Sequence, residues 1–270
     1  SKYSSIDNID FYLDQIGEPF FFPNIYLSYM AFKLANEEGI DLLLNGNDGD
    51  TVISHGYEYI KELFYNFKWV TLFLNLWHLS KKRKKPFFFV FKRLIINDII
   101  KNKYSEYSAN DATKMHAQII SSKLHADSIE KQTAIAKFFN IQESYPFYDF
   151  NVIEHSISVP PQFKLNKGVS RFYLRNAMRD LLPKKNVNRL TKSNLTHALI
   201  ANIAGKNRTY INDQFNKPHP LLNKAMNLIK LQKEFSILVN TPKKYAVRSQ
   251  VPSQIFAFVV LNTWLNKYFK

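Results

Sequence analysis

The chain is 270 residues long, with 46% hydrophobic and 22% charged residues, a globular balance with length for one large domain or two small ones. It contains no cysteine, which excludes disulfides, thiolate nucleophiles and Cys-based zinc sites and is compatible with a reducing, cytoplasmic setting. The formal net charge of +15 suits anionic partners, but only Lys81-Lys82-Arg83-Lys84-Lys85 is a dense basic run, and the richness in Lys, Asn, Ile and Phe accounts for part of the basicity as compositional bias.

The N-terminal Ser1-Lys2-Tyr3-Ser4-Ser5 carries no signal-peptide pattern. Residues 24–38 are spaced as a helix, with Ile25, Tyr29, Ala31, Phe32 and Ala35 near one face and Gly39 as its stop. A short apolar run, 40–44, then reads as a buried strand, followed by a Gly/Asp turn over 45–51. One helix and one strand are too few for a sheet, so a doubly wound fold would place its other strands in 1–22, in 52–53 or outside the chain. Residues 59–79 are apolar and aromatic but broken by Asn66, Lys68 and Asn75, too short and interrupted for a membrane span. The polar stretch 101–123 reads as an exposed connection or a weak helix, and 127–139 as an amphipathic helix. Tyr145-Pro146-Phe147-Tyr148-Asp149 is a turn, with Asp149 placed to cap a short helix over 150–157. Residues 170–182 read as a strong helix stopped by Pro183, and 251–269 as a final aromatic-rich helix.

The chemistry concentrates in Leu42-Leu43-Leu44-Asn45-Gly46-Asn47-Asp48-Gly49-Asp50-Thr51. Ligands of open α/β sheets gather at the carboxyl ends of strands. Gly46 and Gly49 allow a sharp bend or a close ligand approach, and Asp48 and Asp50 place hard oxygen ligands where a Mg²⁺-bound phosphate would sit. These residue types also favour ordinary solvated turns. None of the seven histidines has metal-ligand spacing; His55 stands out because it follows the turn directly.

Three segments in order resemble the synthetase domain of the asparagine synthetase family: the turn with Asp48-Gly49-Asp50-Thr51-Val52-Ile53-Ser54-His55-Gly56, the 145–165 segment with Tyr145-Pro146-Phe147-Tyr148-Asp149, and Ser170-Arg171-Phe172-Tyr173-Leu174-Arg175 followed by Arg189-Leu190-Thr191-Lys192. The resemblance covers most of residues 18–200. It implies ATP- and Mg²⁺-dependent, AMP-forming activation of a carboxylate as an acyl-adenylate, which an amine converts to an amide. It assigns Asp50 to Mg²⁺-pyrophosphate and catalysis. Gly46, Asn47, Asp48 and Gly49 fall to the nucleotide-binding turn, Arg189 to the phosphates, and Lys192 to the phosphates or the developing oxyanion. Arg175 reads as an anchor of the fold through a carboxylate.

The implied fold is mostly helical α/β: 1–56 as part of a parallel-sheet nucleotide-binding domain of the PP-loop type, and 57–270 as its helical remainder. Asn47, Asp48 and Thr51 stand where the family carries an acid, a glycine and a Glu. The family's Ser-Gly-Gly-x-Asp-Ser loop does not occur in this sequence, nor does a cysteine nucleophile for glutamine hydrolysis. The expected partners are therefore a small-molecule or peptide carboxylate and a separate N-terminal PP-loop or glutaminase chain, rather than nucleic acid or membrane. The alternatives are a non-catalytic remnant or scaffold of the same fold, and a basic anion-binding module.

Overall fold

The computed structural model describes residues 3–97, 100, 110–190, 196–245 and 250–269. The chain divides into two compact units that are interleaved in sequence: Ser1–Leu43, Ser128–Glu143 and Ser193–Lys270 form one, and Leu44–Asp127 with Ser144–Lys192 the other. These units are defined by packing rather than by chain order.

The first unit is built on helices. Residues 1–22, weighed as a source of strands, hold the helix Ile9–Ile16, whose Ile9, Tyr12 and Leu13 are buried at helical spacing. The helix Ile25–Glu37 lies within the expected 24–38 and buries Ile25, Phe32 and Ala35. At the centre is the helix Val251–Tyr268, in which Ile255, Phe256, Phe258, Val259 and Val260 are all fully buried. Burial on more than one face marks it as the element around which the others pack. Phe258 stacks on Phe215 at 4.4 Å between ring centroids, and Phe20 meets Phe256 edge-on at 5.8 Å. Asn262, completely enclosed in this helix, is satisfied: its Oδ1 accepts from the His219 N–H at 2.7 Å and its Nδ2 donates to Gln214 Oε1 at 2.8 Å.

The second unit has a separate core of Ile60, Leu63, Leu72, Leu76, Leu79, Val90, Ile95 and Leu165. The apolar run 59–79 forms two helices, Tyr57–Tyr65 and Trp69–Arg83, with Phe67 between them in the left-handed region at φ 56°. Ala112–Ile120 is helical within the stretch expected to be a weak helix, and Asp111 caps it by accepting from Thr113 N and Lys114 N. Residues 101–109 lie outside the described residues.

Four short strands occur among the described residues. β1 (Leu42–Leu44) pairs in parallel with β2 (Gln142–Ser144), and β3 (Leu165–Asn166) pairs antiparallel with β4 (Val169–Ser170). The strand expected to be buried is not: Leu42 is 49% and Leu44 72% exposed, because they share one face of β1 that the described residues leave uncovered. Val52, weighed as part of a strand, belongs to the helical turn Gly49–Val52. The helix expected over 170–182 is also shorter. Ser170 is taken by β4, Arg171 adopts a left-handed conformation at φ 55°, and the helix itself runs only Phe172–Ala177. Lys167 and Gly168 both have positive φ, as a two-residue hairpin turn requires, so strand pairing overrides helical spacing at this end.

Candidate functional site

The turn after β1 lies wholly in the second unit. Its course is set by local hydrogen bonds. Asn45 Oδ1 accepts from Asn47 N at 2.9 Å, and the Asp48 carbonyl accepts from Thr51 N at 2.8 Å and Val52 N at 2.9 Å. Asp48 sits just before the helical turn Gly49–Val52 with φ 55°, a conformation that Asp tolerates better than most residues. At Gly49 a side chain has no room, since a Cβ would lie 2.7 Å from the Phe147 ring. Gly46 faces open space and is exposed.

The two aspartates are placed differently. Asp48 is engaged: its Oδ1 lies 3.0 Å from His125 Nδ1, and its Oδ2 accepts from the Tyr148 hydroxyl at 3.2 Å. Burial, followed by the neighbouring Asp48 charge, pushes the Tyr148 hydroxyl above its usual pKa and keeps it a donor. Asp50 lies in the first turn of Gly49–Val52, with 46% of its side chain exposed and Oδ2 3.5 Å from His55 Nε2. His55 in turn stacks on Tyr57, with 5.2 Å between ring centroids. Asp50 is thus the carboxylate that the turn presents to solvent.

Beneath the turn lies a buried polar chain. Thr51 O accepts from His116 Nε2 at 3.0 Å, and His116 Nδ1 accepts from the Lys164 ammonium at 2.9 Å. A charged ammonium only donates, so these partners fix His116 as the neutral Nε2–H tautomer. Burial, then the Lys164 charge, lowers the pKa of His116; burial lowers that of Lys164 to about 8, with Glu58 opposing the shift. Further along, the Tyr173 hydroxyl donates to Ile53 O at 3.3 Å and pairs with Ser156 Oγ at 3.1 Å.

Arg175 is an anchor, though through main-chain carbonyls rather than the expected carboxylate. Its Nε donates to Ser170 O at 2.9 Å, Nη1 to Val187 O, and Nη2 to Arg189 O at 2.9 Å. It thereby fixes the backbone that carries Arg189, whose side chain is exposed. Lys192 lies outside the described residues.

The asparagine synthase family profile matches residues 3–266. The chain belongs to the asparagine synthase family. Comparison with curated proteins and with solved structures finds no match.

Family members are ATP-dependent ligases, and the asparagine synthase turn can be tested for fit to their nucleotide and metal. Among the described residues, no three His, Cys, Asp or Glu side chains are grouped as a dedicated metal cage would need. Mg²⁺ on phosphates needs less: one or two carboxylates, with the remaining positions filled by phosphate oxygens and water. Asp50, 46% exposed beside the open Gly46, fits that requirement better than Asp48, which is 20% exposed. Sequence spacing missed His116, His125, Tyr148, Lys164 and Tyr173. His116, His125, Tyr148 and Tyr173 are 65 to 120 positions from their turn partners, Lys164 is 48 from His116, and no local signal joins them. The Pro146 turn was the exception in kind: it was legible as architecture, and the architecture sets Phe147 against Gly49 and Tyr148 on Asp48. No helix among the described residues is long and apolar enough to cross a membrane.

Proposed function

We propose that the chain carries the amide-forming half of an asparagine synthetase-type reaction. A carboxylate oxygen attacks the α-phosphorus of ATP and pyrophosphate leaves, giving an acyl-adenylate. An amine then attacks the acyl carbon, AMP leaves, and the amine gives up one proton. The observation that carries this reading is the division of labour between the aspartates: Asp48 ties the turn to His125 and Tyr148, and Asp50, two residues on, remains half-exposed.

In this reading Asp50 would be the protein ligand for Mg²⁺, which when bound would supply charge neutralisation for the leaving phosphates. Gly46, Asn47, Asp48 and Gly49 shape the turn that faces them. Arg189 and Lys192 add positive charge where phosphate charge develops, with Arg175 holding the Arg189 backbone in place. The pyrophosphate loop belongs to a segment beyond these 270 residues. The exposed Leu42 and Leu44 of β1 are suited to being covered by it. The setting is cytoplasmic, and the substrate is a small-molecule or peptide carboxylate.

The test is pyrophosphate release from ATP with a panel of carboxylates and amines, using the chain joined to the sequence encoded before Ser1. Release that falls by about a hundredfold or more in Lys192→Ala, with an unchanged unfolding temperature, is the expected result for a lost transition-state contact. Absence of release with every carboxylate would instead favour a non-catalytic scaffold of the same fold, a reading that Thr51, at a position where the family has a Glu, supports.

A further inference from the structure

The second unit contains a cavity of about 540 Å³ whose lining shares only the anchor Arg175 with the proposed reaction. Its lining brings together Lys82, Arg175, Arg179 and Lys184, with no Asp or Glu among the described lining residues. The short helix Phe172–Ala177 explains why this cavity is distinct from the aspartate turn. Phe172, Arg175, Asn176 and Arg179 recur at spacings of three and four, which place them along one side of a helical path. Tyr173 departs from that side and reaches Ile53 O of the turn. One face of this segment thus serves the turn and another lines the cavity.

The opposite wall comes from the β3–β4 hairpin and the helix Trp69–Arg83. At Gly168, φ 76°, a Cβ would lie 2.6 Å from the His78 carbonyl, so only glycine lets the hairpin lie this close to the helix. That contact brings Val169 and Lys82 into the same lining. The cations differ in what they offer. Arg175 spends its guanidinium on three carbonyls and contributes mainly field. Lys82, Arg179 and Lys184 are exposed, and Arg179 Nη2 is steadied by Asn176 Oδ1 at 2.6 Å. Phe172, Val187 and Leu190 supply apolar wall beside them.

Cations gathered without counter-charges select an anion, and a fork of guanidinium donors with flanking ammonium groups suits phosphate oxygens. The apolar wall suits a ligand with more than the phosphate alone. We propose that this cavity is a second anion site, independent of Asp50, which binds a phosphate group carried on a small organic molecule.

Calorimetric titration of the full chain with inorganic phosphate and with phenyl phosphate, without Mg²⁺, tests this. The expected result is saturable one-to-one binding of phenyl phosphate, tighter than phosphate and weakened by salt as exposed cations require. Arg179→Gln combined with Lys184→Gln should weaken it by about tenfold or more, since two charge-assisted contacts are lost. Both side chains are exposed, so the double variant should keep its unfolding temperature, while Asp50→Asn should bind as the wild type does. Equal affinity for phosphate and phenyl phosphate would remove the organic moiety from the proposal and overturn it in this form. Non-saturating binding, unchanged binding in the double variant, or an equal loss in Asp50→Asn would overturn the site itself. Because the pyrophosphate-release assay and this titration read different residues, either reading can fail without the other.

Discussion

At Asp48 the backbone turns left-handed and the carboxylate is met by an imidazole and a phenol; at Asp50 it enters a helical turn and half the side chain remains in solvent. The turn itself is held from below by Lys164 and His116, two buried groups whose ionisation makes stability depend on pH in a stated direction. Lys164 has its folded pKa lowered to about 8 from 10.5, so between those values the unfolded chain binds more protons than the folded one. Folding stability contributed by this group therefore rises with pH across that window, by an amount on the order of 3 kcal/mol, and below pH 8 the cost of the buried charge is fully present. His116, also lowered, acts on the acid side: stability falls as pH drops below the ordinary imidazole value of 6.5, where the unfolded chain takes up a proton that the folded chain refuses. Chemical denaturation of wild type and Lys164→Met at pH 7.5 and pH 10 should show the wild type gaining stability relative to the variant at the higher pH. A constant difference between them would show that Lys164 is not strained by burial.

Among elements, the six-residue helix Phe172–Ala177 carries more consequence than its length suggests, because its Arg175 joins β4 at Ser170 to the later Val187 and Arg189 carbonyls. Arg175→Ala removes all three bonds and should destabilise the protein by roughly 2 kcal/mol or more, as loss of charge-assisted bonds in a half-buried setting does. Arg175→Lys should rescue little, since an ammonium lacks the planar fork. Hydrogen exchange over residues 187–190 checks this, with faster exchange expected in both variants. The longer helices were legible from apolar spacing, as were the Pro146 turn and the Asp149 cap, which accepts from Asn151 N. The β3–β4 hairpin was not. Asn166-Lys167-Gly168-Val169 lacks a strong turn dipeptide, and Lys167 is held at φ 44° by the pairing around it rather than by its own preference. The expected helix over 170–182 failed for the same reason. Its apolar spacing is real, but Ser170 is committed to a strand and Arg171 to a left-handed turn.

For the whole molecule, two separate hydrophobic cores account for why a division by chain order could not be read directly. The first core draws on Ile9, Ile135 and Phe256, residues far apart in sequence; the second draws on Ile60, Leu76 and Leu165. Periodicity identifies which face of a helix is buried, but not which helix covers it. The same limit hid the site: residues 45–51 were legible as a turn, while the partners of Thr51 and Asp48 return from 65 to 100 residues downstream. The basicity of +15 is likewise not evenly meaningful. Four of its cations gather around one cavity in the second unit, while the long run 81–85 contributes only Lys82 to it.

In the proposed function Asp50, and not Asp48, is the carboxylate that would meet a metal-bound pyrophosphate. The most direct test is calorimetric titration of pyrophosphate with and without Mg²⁺, on wild type and Asp50→Asn. Mg²⁺ should tighten pyrophosphate binding to the wild type by about tenfold or more, the effect of one good ionic ligand, and leave Asp50→Asn unaffected at an unchanged unfolding temperature. The same Mg²⁺ enhancement in Asp50→Asn, or none in the wild type, would contradict it.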